Sequence, residues 1–224
     1  MELRQTLKEQ CASLGWPLRK LPAIRHAKQV WSFGDATGLH PEEVVALSLI
    51  AEGKQCCWCE GRSVSVLLKA AALPVLAQRN IFGDRVDAVR AALEGQLTVL
   101  ASHSEEIFSC AAQISVQDLQ SNISEICANT MVQEFYPNLR APFVRLLAQV
   151  VSQELRVSLL RTFFIKPYEY RSGWPDLTVV DGACLSFVEV KTTDKFHESQ
   201  FRFAREIAAH HGLECAVTQV VPVG

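Results

Sequence analysis

Near the C-terminus, Asp176, Glu189 and Lys191 stand at spacings that bring them together if the chain between them is a hairpin. Leu177-Thr-Val-Val180 and Leu185-Ser-Phe-Val-Glu-Val190 are rich in β-branched residues, and Asp181-Gly182 between them is a two-residue turn signal. That turn sets Val180 against Ala183, and counting back places Asp176 opposite Phe187. Side chains alternate along a strand, so Phe187, Glu189 and Lys191 share one face. Asp176 then becomes the diagonal cross-strand neighbour of Glu189. Two carboxylates and an ammonium converging in this way suit one chemistry. Carboxylate oxygens are hard ligands for Mg²⁺ or Mn²⁺, which keep waters and take up phosphate oxygens. Such an ion acidifies a bound water and offsets charge on a phosphate under attack. Lys191 would hold that phosphate or orient the water.

The pattern is more specific than its parts. Glu-Val-Lys alone is common. Pro175-Asp176, a hairpin, then Glu-Val-Lys on an otherwise apolar strand is not, because Phe-Val-Glu-Val has little structural reason to aim a carboxylate along the face of Phe187. Downstream, Gln200, Ala204, Ile207 and His211 form one stripe at helical spacing. That places the Gln200 amide on the buried side near a helix start, within reach of the same water or phosphate.

The elements around these residues fall into two patterns. Up to about residue 160 the period is helical. Pro41-Glu42-Glu43 opens a run from Val44 to Ile50, with acids in the first turn where the helix dipole favours them. A second helix is expected from Ser63 to Pro74, where proline should end it. Segments 84–93 and 143–160 show the same period. After Phe163 the signal becomes strand, hairpin, a helix from His197 to His211 closed by Gly212, and a last strand from Cys215 to Val221. The expected fold class is therefore α/β, a mixed sheet flanked by helices and preceded by a helical region. The helical region should span residues 1–140 and the sheet-bearing core residues 141–224.

Bulk properties agree with this reading. The 224 residues can bury a sizeable core, and 49% hydrophobic with 21% charged residues is ordinary for a globular protein. No apolar run approaches the roughly 18 residues that span a bilayer, and MELRQTLKEQ lacks a secretory apolar stretch, so an intracellular protein is expected. A net charge of −2 argues against a generally basic wrapper of nucleic acid, although basic residues outnumber acids from Arg140 to Arg205. Cys56 and Cys59 have metal-ligand spacing, but a structural zinc site needs a second pair and none matches. Cys11, Cys110, Cys127, Cys184 and Cys215 read as reduced core thiols.

Arg171-Ser-Gly-Trp-Pro-Asp-Leu-Thr-Val-Val180, Phe187-Val-Glu-Val-Lys191, Asp194-Lys195, Gln200 and the closing Val217-Thr-Gln-Val-Val-Pro-Val-Gly224 together resemble the VRR-NUC branch of the PD-(D/E)xK nucleases, and within it the Fanconi-associated nucleases. Thr192-Thr193 stands where that family has Gly-Pro. The resemblance implies a restriction-endonuclease-like core and a metal-dependent nuclease with Mg²⁺ or Mn²⁺. It implies 5′-flap endonuclease and 5′-to-3′ exonuclease activity on branched or crosslinked DNA, and DNA-repair proteins as partners. Residence would be nuclear if the source is eukaryotic and cytoplasmic otherwise.

Cys59-Glu60-Gly61-Arg62-Ser63 is similar to the family's Glu-Gly motif, which implies that Glu60 completes the metal site from the helical region. The family's Trp-Asp after that helix is replaced by Ala71-Ala72-Leu73-Pro74. Folds of this kind commonly draw an acid from the helix before the first strand, which makes Glu125, Glu134 and Glu154 the fallbacks. The implied site is Glu60, Asp176, Glu189 and the Val190 carbonyl on metal, Lys191 and Gln200 in catalysis, and Arg171 and Lys195 on substrate. Family members carry upstream DNA-gripping and helical-repeat regions with no counterpart here, so a truncated relative, an isoform or a fragment is expected. Two further readings are a junction-resolvase-like nuclease and a catalytically weak adaptor that binds DNA or a repair partner.

Overall fold

The computed structural model describes residues 5–81, 83–193 and 195–223. Among the described residues there are seven strands: β1 (Leu18–Ala27), β2 (Val30–Phe33), β3 (Ala36–Leu39), β4 (Gln55–Trp58), β5 (Leu177–Asp181), β6 (Cys184–Lys191) and β7 (Glu214–Pro222). They form one mixed sheet in the order β3-β2-β1-β7-β6-β5-β4. β7 runs parallel to both β1 and β6, and the other neighbours are antiparallel.

The chain divides into two compact units, Met1–Glu60 with Gly173–Gly224, and Gly61–Ser172. This corrects two expectations. The helical region does not precede the core but interrupts it between β4 and β5, so the division does not fall at residue 140. Nor is the first third helical throughout, because it supplies four of the strands. The reason is non-local pairing. Leu18–Ala23 pair with Val217–Pro222 from the far end of the chain. Within β1 only Leu21 and Ala23 are buried, so its own sequence shows little strand alternation.

In the sheet-bearing unit, α1 (Leu7–Leu14) starts at Thr6, whose hydroxyl accepts from the Glu9 N–H at 3.3 Å while the Glu9 carboxylate takes the Thr6 N–H at 2.7 Å. α2 (Pro41–Ala51) has proline in its first turn, as expected. It buries Val44, Val45 and Leu49 against Leu177, Val179, Val188 and Val190 of β5 and β6.

The second unit is helical. α3 (Arg62–Arg79) is followed by α4 (Arg85–Arg90), α5 (Leu93–Val99), α6 (Ser104–Gln113), α7 (Val116–Ala128), α8 (Thr130–Phe135), α9 (Ala141–Val150), α10 (Gln153–Ile165) and α11 (Pro167–Tyr170). The segment 143–160, read as one helix, is two. Val151 is extended, and the Ser152 hydroxyl caps α10 by accepting the Leu155 N–H at 3.1 Å.

Pro74 does not end α3 as expected but lies inside it. Proline has no N–H for the carbonyl one turn back, that of Ala70. Asn122 of α7 donates its amide to that carbonyl at 2.8 Å, so the orphaned acceptor is satisfied from a neighbouring helix. Nearby, Lys69 is 4% exposed and donates to the carbonyls of Val89 and Ala91. Burial pulls its ammonium down to about 8, opposed by Glu94.

The C-terminal helix of the first unit is α12 (Glu198–Arg202), a π-helical segment (Phe203–Ala208) and α13 (Ala209–His211). Gly212, at φ 62, ends it where sequence placed the stop. Its Phe203 packs against Trp174 at 4.6 Å and Phe187 at 6.2 Å between centroids, on the face of β6 away from α2. The cysteines are reduced thiols, and Cys184 is exposed rather than core.

Two stability measurements follow from the helical unit. Asn122→Ala leaves the Ala70 carbonyl buried without its donor and should cost about 1–3 kcal/mol in chemical denaturation. Between pH 8 and 10.5 the unfolded chain holds the Lys69 proton and the folded chain releases it, so folding binds fewer protons. Wild type should therefore gain stability relative to Lys69→Met as pH rises through that window.

Candidate functional site

The hairpin expected from sequence forms, shifted by one residue. Asp181 pairs with Cys184, so Gly182-Ala183 occupy the turn rather than Asp181-Gly182, and Thr178, not Asp176, lies opposite Phe187. Gly182, at φ 58, takes the left-handed conformation that such a turn needs. Continuing the observed register brings Asp176 level with Glu189 rather than diagonal to it.

Asp176 is held from two sides. Its carbonyl accepts the N–H groups of Cys59 and Glu60, each at 3.2 Å, from the chain leaving β4. Its Oδ2 accepts the Val190 N–H at 2.8 Å. Glu189 and Lys191 are 2% and 3% exposed, and the Lys191 Nζ lies 2.9 Å from Glu189 Oε1. Gln200 ties the pair together. Its Nε2 donates to Glu189 Oε1 at 2.6 Å, and its Oε1 accepts from Lys191 Nζ at 3.2 Å and from the His197 N–H at 2.9 Å. The structure thus brings Asp176, Glu189, Val190, Lys191 and Gln200 into one group, in which Glu189, Val190 and Lys191 are buried and Asp176 and Gln200 half-buried. The ring of Phe196 lies 5.4 Å from the Lys191 ammonium. The Phe196 amide is held at 3.2 Å by Gln10, which sits on α1.

Burial raises the Asp176 carboxyl well above the usual carboxylate range, and Glu189 and Glu42 raise it further against the pull of the Val190 amide and Lys191. Glu42 is itself raised, first by burial and then by Glu60 and Glu43, with His40 acting the other way. Glu42, near the start of α2, therefore shares the field of Asp176 and Glu60, and sequence reasoning missed it. Its acid was read only as a helix-dipole partner. The clue existed, because the helix before the first core strand was the place to look. β4 is a four-residue strand inside a cysteine cluster, so the first strand was set at Leu177 and the search ran to Glu125, Glu134 and Glu154. Those three lie on α7, α8 and α10 of the helical unit, where Glu125 pairs with Arg85 at 2.7 Å.

Glu60 follows β4 at φ 46, a left-handed conformation rarely adopted by non-glycine residues, and its side chain is exposed. Arg171 belongs to the helical unit, 3.1 Å from Glu94 and over the Tyr168 ring. Lys195 is exposed and its charge reaches Glu9; Asp194 lies outside the described residues. Among the described residues no group of three or more His, Cys, Asp or Glu side chains is arranged to hold an ion. The donors nonetheless fit a hard divalent cation in kind. They are carboxylates, with the charges of Glu189 and Glu42 adding to burial in raising Asp176, which a cation would relieve.

Gly173, at φ 87, makes this packing achievable. A Cβ there would stand 2.0 Å from the Ser199 carbonyl oxygen and 2.9 Å from the Gln200 nitrogen. The Pro-Asp loop thus runs directly against the backbone that carries Gln200. Gly173→Ala should cost roughly 2–5 kcal/mol of stability, from left-handed strain and overlap together. Denaturation of the purified variant measures it.

No family model and no curated protein matches the chain. Solved structures do. One is paFAN1 bound to 1-nt 5′-flap DNA with gap, at TM-score 0.62 and 15% identity, covering 96% of this chain and 42% of that one. Another is paFAN1 bound to 2-nt 5′-flap DNA with gap, at TM-score 0.53 and 16% identity, covering 96% and 41%. The chain thus spans about two-fifths of the length of these structures, and at such identities the likeness is one of fold. The mixed α/β arrangement, a sheet flanked by helices, is consistent with a restriction-endonuclease-like core.

Proposed function

We propose that this chain is a divalent-metal-dependent nuclease of the VRR-NUC type that hydrolyses phosphodiester bonds in branched or flap DNA. The observation that carries this reading is the Asp176–Glu189–Lys191–Gln200 group, with Glu189 and Lys191 buried, at the end of the β5–β6 hairpin. Likeness of fold to structures bound to 5′-flap DNA supports the substrate class.

Asp176 and Glu189 are the principal ligands for Mg²⁺ or Mn²⁺, with the Val190 carbonyl and one acid from Glu42 or Glu60 beside them. When bound, the ion supplies charge for the scissile phosphate and an acidified water. Lys191, 2.9 Å from Glu189 Oε1, donates to a phosphate oxygen or to the attacking water. Gln200 holds both side chains in register, so they need little rearrangement before reaction. Arg171 and Lys195 are proposed to contact the DNA backbone.

End-labelled 5′-flap, 3′-flap, four-way and single-stranded DNA, incubated with Mg²⁺, Mn²⁺ or EDTA, test this. Flap cutting should vanish in EDTA and fall by about 100-fold or more in Glu189→Ala and Lys191→Ala. Glu42→Ala and Glu60→Ala decide the remaining ligand, since only loss of a ligand should be partly offset by raising the metal concentration. Flap binding without cutting by any version would instead favour the DNA-binding adaptor.

A further inference from the structure

The helical unit contains a cavity of about 690 Å³, of whose lining the reaction just described uses only Arg171. Its lining is unlike an ordinary core void. Val99, Phe135 and Tyr168 border it while 57%, 69% and 54% exposed, a concentration of large apolar side chains in water that folding alone does not explain. Two guanidiniums stand over aromatic rings of the lining, Arg62 over Tyr136 at 5.0 Å and Arg171 over Tyr168 at 5.5 Å. Both are oriented by one acid. Glu94, 5% exposed, lies 3.1 Å from Arg171 and 3.9 Å from Arg62. One buried carboxylate thus fixes two arginines beside two rings. Charge on the lining is unequal: Arg62, Lys69, Arg90 and Arg171 face only Asp87 and Glu94.

Flat rings, guanidinium planes and surplus positive charge recognise a planar aromatic group that carries an anion. We propose that this cavity is a second DNA subsite, which takes an unpaired nucleobase of a single-stranded segment by stacking on Tyr168 and Phe135. Its phosphate faces Arg62 and Arg171. The volume is in the range that ordinary small-ligand sites occupy, roughly 300–1,000 Å³. Stacking on aromatic or arginine planes tolerates any base, so the subsite selects unpaired strand rather than sequence. An apolar peptide would suit the rim but has no use for the surplus charge. The proposal rests on the reading of DNA as substrate, and adds where the unpaired part of it is held.

The test is binding of the full chain, in EDTA so that nothing is cut, to a short single-stranded oligodeoxynucleotide containing 2-aminopurine. A strand of the same length made of abasic nucleotides serves as the control. Phe135 and Tyr168 are more than half exposed, so truncating them should leave the fold intact, as circular dichroism would verify. Phe135→Ala and Tyr168→Ala should weaken binding of the base-bearing strand by about 5- to 100-fold each, with Tyr168→Phe close to wild type. The abasic strand should bind wild type and both alanine variants alike. Unchanged affinity for the base-bearing strand would overturn the proposal. So would equal losses on both strands, which would assign the surface to phosphates. Flap cutting by wild type in Mg²⁺, assayed beside the binding, separates the two readings. Stacking retained while wild type cuts no DNA sinks the nuclease alone, and cutting without ring dependence sinks the subsite alone.

Discussion

The arrangement depends on holding a buried carboxylate and ammonium, with a second, half-buried carboxylate beside them, at the end of a hairpin. Glu189 and Lys191 are almost wholly buried, and isolated charges in such a place would be strongly disfavoured. Their contact at 2.9 Å and the two bonds from Gln200 reduce that cost, while Asp176 has the Val190 amide. The surrounding fold serves these contacts. β4 pins the Asp176 carbonyl, Gly173 admits the C-terminal helix close enough for Gln200 to reach, and Phe203 packs that helix onto Phe187. Removing one partner would leave the others buried and uncompensated, which is why these residues work as a group rather than singly.

Much of this was legible because its cues are local. Pro175-Asp176, a turn signal and Glu-Val-Lys lie within one short stretch, and alternation along the strand gives the shared face without reference to the rest of the molecule. Gln200 followed from helical spacing. The turn was misjudged by one residue because Asp181-Gly182 and Gly182-Ala183 both offer a glycine for the left-handed position, and pairing of Asp181 with Cys184 decides between them. Ligand and substrate assignments for Arg171, Lys195 and Glu60 go beyond anything in these local cues.

What was not legible came from distant partners. β1 has basic residues, a proline and only two buried side chains, and becomes a strand through β7. β4 is short and lies among cysteines at metal-ligand spacing, and without it the helix before the first strand is placed in the helical unit rather than at α2, where Glu42 stands. Pro74 looked like a stop because the amide that rescues its helix belongs to Asn122, far along the chain. In each case propensity was overridden by a partner that no local window contains.

The strand order also sets a timetable for synthesis. β7 lies between β1 and β6, so the β1–β3 meander cannot join the remaining strands until β7 emerges. Gly61–Ser172, a continuous stretch, can close on itself well before that. A ribosome making this protein therefore releases a finished helical unit while the sheet waits, with β1 and β4 as unpaired edges that a nascent chain must keep from other strands. The buried charges of the site assemble last, because Lys191 and Gln200 gain their settings only as the sheet closes.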